Sequence, residues 1–270
     1  MLDFHGKTVL VTGGTAGIGL ATGLAFGRHG ARVVLTHRFG SADEDEIRAR
    51  FAAEGAAPPA IVQADAKDEE DTEALLTSMR KEHDAVDILI SNVSAALIVN
   101  SIDDYDRRGL LQSIDATAWP IVGYTRAIHA HFGRYPRYVI GMSSTGPDSF
   151  SVGYDFVAAS KSVLETLCRY LSYRLSDHDV RINVIRSRSI RTASFDATFG
   201  REFSEFADRF CRPEHFLTPE EIADVATALA SGMLDGLSGQ VITADRGTSF
   251  FDDLMRLYQE REELGLVWEG

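Results

Sequence analysis

The sequence predicts one doubly wound α/β domain, a seven-stranded parallel sheet flanked by helices. Three observations predict it. Short runs rich in Val and Ile alternate with helix-like stretches along most of the 270 residues. Those runs are apolar throughout, with little alternation of polar residues, as strands covered on both faces must be. The first run also ends in a glycine-rich loop that opens directly into a helical stretch.

The elements follow in order. KTVLVTG (7–13) is β-branched, ends in glycine and reads as the first strand. IGLATGLAFGRHG (18–30) reads as the helix behind it. ARVVLTH (31–37), AIVQAD (60–65), DILISN (87–92), RYVIGMSS (137–144), RINVIRS (181–187) and QVITAD (240–245) supply the other six strands, and EEIADVATALASG (220–232) the last helix of the alternation. AAEGAAPPA (52–60) and DAKDEED (65–71) read as loops or helix ends. No linker or repeat interrupts the pattern, so residues 1–249 form one domain and 250–270 an acidic extension. Two segments lie outside the alternation. In 193–216, Phe195, Phe199, Phe203, Phe206 and Phe210 recur at helical spacing, which fits either a core-facing stripe or a substrate lid. In the tail, Leu254, Leu257 and Tyr258 mark a helix packed on the domain or on a partner.

Composition narrows the function. Hydrophobic content of 44% and charged content of 25% are ordinary for a globular protein. A chain of this length buries roughly three quarters of its unfolded surface, so it needs no covalent staples. The net charge of −13 argues against nucleic acid and anionic lipid as partners. Cys168 and Cys211 make no disulfide framework, which suits a reducing cytoplasm. The start, MLDFHGKTVLV, lacks the basic and apolar regions of a secretory leader, and no apolar run nears ~18 residues, so no membrane span is expected. His129 and His131 lack a third ligand at metal spacing and read as structural, and no metal site is expected.

TGGTAGIG, Thr12 to Gly19, stands at the first strand–helix junction. Gly13 can take backbone angles that other residues avoid. Gly17 and Gly19 clear side chains from a spot where a pyrophosphate approaches the positive end of a helix. This is the context a dinucleotide-binding loop requires. Here the chain resembles the short-chain dehydrogenase/reductase family over about residues 5–248, and TGGTAGIG matches its TGxxxGxG form. The resemblance implies a Rossmann-type fold and a nicotinamide cofactor. It assigns Gly13, Thr15, Gly17, Ile18 and Gly19 to the cofactor loop, and Asp65 and Ala66 after the third strand to the adenine. Asn92 in SNVSA (91–95), the MSSTG serines (142–146), Lys161 and, in NVIRSRSIRT (183–192), Ile190 and Thr192 fill further family positions.

The second strand ends in His37 and Arg38, where the NAD-binding members carry an acidic residue. Without that carboxylate nothing repels a 2′-phosphate, and an arginine can grip one through two parallel hydrogen bonds. NADPH is therefore the expected cofactor. The stretch YDFVAASK then sets the chemistry. Most members carry tyrosine four positions before the lysine, yet that place is Val157, and Tyr154 stands seven before Lys161. This Y-x6-K spacing, with SIRTASF (189–195), resembles the enoyl-thioester (enoyl-ACP) reductase branch, closest to its NADPH-dependent bacillus type. The resemblance implies hydride delivery to the C=C of an α,β-unsaturated thioester. Tyr154 would stabilise the enolate oxygen, Lys161 would hold the nicotinamide ribose, and Ser143 would add a hydroxyl to the substrate; capping at a strand end is the other reading for Ser143 and Ser144.

Three features depart from the family. Asp115 stands where an asparagine usually supports a water chain to the lysine. Arg188 and Ser189 replace the PG pair after the sixth strand. Arg186, Arg188 and Arg191 fall within six residues; they serve either internal salt bridges or a grip on an acidic substrate, carrier or cofactor phosphate. Two other functions stay open: an NADPH-dependent ketoreductase of a polyketide-like carbonyl, and a non-catalytic NADPH-binding member. The expected partners are a small-molecule or carrier-bound acyl substrate and further copies of the chain. The resemblance implies a homotetramer or homodimer through helices near 104–132 and 152–176.

Overall fold

The computed structural model describes residues 2–266 apart from 40–41, 96, 189, 193–194, 196–199 and 213–214. Ser189, Phe199 and most of 193–199 in the expected lid lie outside the described residues.

All seven expected strands form, each within about two residues of its sequence bounds: β1 Thr8–Val11, β2 Arg32–His37, β3 Ala60–Gln63, β4 Ile88–Ser91, β5 Tyr138–Ser144, β6 Arg181–Ser187 and β7 Val241–Ala244. They make one parallel sheet in the order β3-β2-β1-β4-β5-β6-β7. Parallel neighbours need crossovers, and helices supply them. These are α1 Gly17–Gly27, α2 Glu44–Ala53, α3 Glu69–Met79, α4 Arg107–Thr117, α5 Trp119–Phe132, α6 Asp155–Arg174 and α8 Pro219–Leu229, with α7 Arg201–Phe210 between β6 and α8 and α9 Asp253–Gln259 in the tail. The helix expected near 104–132 is two helices, because the chain turns at Ala118 before Pro120 restarts it.

Side-chain caps set several helix starts. Asp43, Asp106 and Asp252 each accept a backbone N–H from the following first turn. Thr218 and Glu221 cap each other reciprocally at α8. Each such cap stabilises its helix by about 1 kcal/mol.

Strand alternation divides the core into two layers. Val9, Val11, Val33, Leu35, Ile88, Ile90, Ile140 and Met142 face α1, α2 and α8. Leu10, Val34, Leu89, Val139, Ile182 and Val184 face α3, α5 and α6. In the first layer Gly23 and Gly27 of α1 leave room for Phe51 of α2: a Cβ on Gly27 would stand 2.9 Å from the Phe51 ring.

The phenylalanine stripe is not a core face. On α7 only Ala207 is buried among the described residues, while Phe203 and Phe206 are 46% and 59% exposed. Phe195 leans on Phe203 and Phe216. The helix is held at its polar edges. Arg191 pairs with Asp208, and Arg256 of α9 donates to the Phe210 carbonyl at 3.2 Å. Arg212 pairs with Glu260 at 3.2 Å. The tail therefore forms the expected helix and clasps the α7 segment, with Leu254 and Tyr258 turned to solvent. Among the described residues no helix is long and apolar enough to cross a membrane. Phe51 is fully buried. Phe51→Ala is expected to cost about 3–5 kcal/mol of stability, read as a lowered midpoint in denaturant titration.

Candidate active site

All seven strands run the same way, so their carboxyl ends gather at one edge of the sheet. The order reverses between β1 and β4, and a crevice for ligand opens there. The loop after β1 lines it. Gly13 and Gly17 have φ of 62° and 52°, backbone that an L side chain seldom adopts. A Cβ on Gly19 would fall 2.3 Å from the Gly13 carbonyl oxygen, so only glycine fits. Gly14, which the sequence reading passed over, meets the core instead: a Cβ there would stand 2.7 Å from Leu35. Asn92 clamps the loop from the next strand, its side-chain amide donating to the Gly13 and Thr12 carbonyls at 2.9 and 3.2 Å.

Helix α1 starts at Gly17, and its N-cap Ala16 offers no side chain to the first-turn N–H groups. Those donors are left for a ligand, and the helix end favours an anion. Thr15 precedes the cap and Ile18 lies in the first turn. Thr192 stands across the crevice, its methyl 3.5 Å from where a Gly17 Cβ would be. Ile190 is buried and bridges to Leu217. This cradle fits the pyrophosphate of a dinucleotide.

At the ends of β2 and β3, Arg38 Nε pairs with Asp65 at 2.8 Å, and its guanidinium lies 4.7 Å from the Phe39 ring centre. Asp65 also accepts the Lys67 N–H at 3.3 Å. The carboxylate expected at the adenine is therefore tied to the arginine expected at the 2′-phosphate. The His37 carbonyl accepts the Ala64 N–H at 2.9 Å, joining the two strand ends, and Ala66 is buried just beyond.

Tyr154 is the N-cap residue immediately before α6, and its ring packs on Gly146, where a Cβ would lie 2.8 Å away. It is half-buried, and the Ser144 hydroxyl lies near enough to act on the phenol. Burial raises the phenol pKa, and Ser144 only partly offsets that, so the hydroxyl stays protonated and able to donate at neutral pH. Beside it lies a cavity of about 240 Å³ lined by Pro147, Phe150 and Ala158. Lys161, two helical turns on, is buried, and its Nζ donates to the Met142 carbonyl at 2.7 Å. Burial lowers its pKa to about 8, while the Glu165 carboxylate acts the other way. Val157 is 3% exposed and serves the packing of α6.

Several expectations are corrected. Ser143 does not face Tyr154. It lies under α6, in the same alternating set as Val139, and donates to Glu165 at 2.7 Å. Ser144, one residue on and of opposite parity, takes the place beside the tyrosine. Asp115 is exposed, and among the described residues no direct contact joins it to Lys161; Ser113 and Thr117 nearby on α4 are buried, and the Thr117 hydroxyl accepts the Ala95 N–H at 3.2 Å. Of the two readings for the arginines, the internal one matches the structure. Arg186 pairs with Glu165 and Asp148, Arg188 donates to the Thr248 carbonyl, and Arg191 pairs with Asp208. Sequence reasoning missed Glu165 altogether. Its signal was a carboxylate four residues after the lysine, on the helical face that looks at the sheet. His131 meets Glu73 at 2.6 Å, and His129 stacks on Tyr135.

A family model described as enoyl-(acyl carrier protein) reductase matches residues 13–249. The enoyl-[acyl-carrier-protein] reductase [NADH] of Aquifex aeolicus is 24% identical, over 96% of both chains. Its crystal structure superposes with a TM-score of 0.79 over 92% of this chain and 98% of that one, which shows the shared fold. A 3beta-hydroxysteroid dehydrogenase of Eggerthella lenta is 28% identical, over 92% of this chain and 96% of its own. Since a Cβ at Gly19 collides with the loop, Gly19→Ala is expected to weaken dinucleotide binding by at least roughly tenfold, measured by nicotinamide fluorescence titration.

Proposed function

This chain belongs to the enoyl-(acyl carrier protein) reductase-like family of short-chain dehydrogenases/reductases, and from that premise we propose that it is an NADPH-dependent reductase of an α,β-unsaturated thioester. The observation that carries the reading is the placement of Tyr154. It stands at the start of α6 beside Ser144, two turns before buried Lys161, while the intervening Val157 can neither donate nor accept a proton.

The bound nicotinamide supplies a hydride to the β-carbon of the substrate. The chain supplies the rest. As charge builds on the thioester oxygen, the Tyr154 phenol donates a hydrogen bond to it, and Ser144 holds that phenol in place. A preorganised donor of this kind is worth roughly 3–4 kcal/mol of barrier. Hydride at the β-carbon leaves an enolate whose α-carbon then takes a proton from solvent, so the phenol orients and stabilises without having to give its own proton away. Lys161 would hold the nicotinamide ribose and keep positive charge beneath the developing anion. The loop from Gly13 to Gly19 and the α1 N-terminus would hold the pyrophosphate.

For the cofactor, His37 brings no carboxylate against a 2′-phosphate, and Arg38 stands at the same strand end. Its partner Asp65 engages Nε, which leaves the terminal nitrogens for the phosphate but offsets part of the charge. The Aquifex relative is named for NADH, so the preference for NADPH rests on these two residues of this chain. Self-association belongs to the same proposal: Trp119 on α5 and Tyr170 and Tyr173 on α6 are exposed on the helices that would meet a second copy.

A carbonyl substrate is the second reading, favoured by the hydroxysteroid dehydrogenase at 28% identity. The two part in one assay: NADPH oxidation with crotonyl thioester beside a ketone panel, with NADH as the control. Turnover on the thioester with NADPH is expected, and turnover on ketones alone defeats the proposal. Tyr154→Phe is expected to lower kcat by roughly 10²–10³, and a variant that keeps most of its rate removes Tyr154 from the mechanism. Arg38→Ala is expected to narrow the NADPH-over-NADH ratio of kcat/KM by about tenfold or more.

A further inference from the structure

Behind Lys161 lies a charged group that the reaction outlined above does not use. Glu165 is 4% exposed, one turn after the lysine on α6. It accepts the Ser143 hydroxyl at 2.7 Å and both Nε and Nη2 of Arg186 at 3.0 and 2.5 Å. Arg186 reaches on to Asp148, in the loop that lines the cavity beside Tyr154. Ser143 and Arg186 are partners in the β5–β6 register, so the carboxylate receives both strands at one rung. A buried carboxylate with three such donors is a costly group to desolvate unless its geometry is satisfied, as here it is.

We propose that Glu165 is a positioning residue of the active site: with Arg186 it ties α6, the ends of β5 and β6 and the loop at Asp148 into one unit, and it is the counter-charge against which Lys161 is held. The lysine part rests on the reading of Lys161 as an active-site residue; the ion pair itself does not.

The consequence is electrostatic. Burial disfavours the Lys161 ammonium, and the Glu165 carboxylate supports it. On the lysine's own helix and its N-cap stand Tyr154, Asp155, Glu165 and buried Cys168, with Arg169, Tyr170, Tyr173 and Arg174 exposed; β6 brings Arg186, the loop after β5 Asp148, and α4 the exposed Arg107, Arg108 and Asp115. Of these, buried Glu165 and partly buried Arg186 form one ion pair, and their charges act on the lysine with opposite signs. Removing the carboxylate should make the lysine easier to deprotonate. Removing the guanidinium leaves an uncompensated carboxylate and should make it harder.

The chain has only four lysines, Lys7, Lys67, Lys81 and Lys161. Full-length protein labelled with [ε-13C]lysine therefore gives four signals, and Lys161→Arg identifies the one of interest. That signal is expected to titrate near pH 8 in the wild-type chain. In Glu165→Gln, which keeps the shape and can still accept from Ser143, the midpoint should fall by about one pH unit. In Arg186→Met it should rise by a similar amount. A midpoint unmoved in both folded variants overturns the proposal and leaves Glu165 as a core ion pair alone. If one variant fails to fold, the other decides by the sign of its shift. If neither folds, the pair is a folding element and the proposal falls. The measurement uses neither substrate nor cofactor, so its failure is separate from any failure of the thioester assay.

Discussion

The structure hangs on the pinning of β1 against β4. Asn92 leaves β4 and turns its amide into the Thr12 and Gly13 carbonyls at the end of β1. Thr12 in turn accepts the Asn92 backbone N–H at 3.0 Å and donates to the Ile90 carbonyl at 3.3 Å. This exchange holds the two central strand ends together where the strand order reverses. It closes the glycine loop, aims the first turn of α1 into the crevice and fixes the edge along which every other functional side chain is ranged.

From that edge outward, the site is built in two tiers. One lies along the crevice: the α1 terminus, Thr192, the Arg38–Asp65 pair and Tyr154 with Ser144. The other faces inward and is paid for in desolvation: Lys161 on the Met142 carbonyl, and Glu165 with Ser143 and Arg186. The inner tier is rigid because β5 and β6 are long, paired from Tyr138 to Ser144, and covered by α6. The α7 segment is held more loosely. It exposes its rings and is held by salt bridges to Arg191 and to the acidic tail, and exposed pairs of that kind contribute little each.

The fold was legible because its signals are local. A fully covered parallel strand reads as an unbroken Val and Ile run, and a glycine loop between strand and helix has few other uses. The helix caps Asp43, Asp106 and the Thr218–Glu221 box are equally local signals, but the sequence reading did not single them out. The site was legible by type and less so by direction. Tyr154, Lys161, Asn92 and the loop glycines stand along the crevice edge their order implied. Ser143 and Ser144 are neighbours of the same type, and which one meets the tyrosine depends on strand parity under α6. Asp115 and Thr117 differ in the same way on α4, where the inward turn takes Thr117.

By itself the sequence determined the seven strands, the dinucleotide cradle and the unusual tyrosine–lysine spacing, since each is carried by residues close together in the chain. Only the tertiary structure decided where the charges go. Arg186 lies twenty-one residues from Glu165, and Arg38 twenty-seven from Asp65. Three clustered arginines that could have met a substrate instead meet Glu165, the Thr248 carbonyl and Asp208. A charge finds its partner through space, and in a parallel sheet that partner sits on the neighbouring strand or the covering helix, whose register no local pattern records.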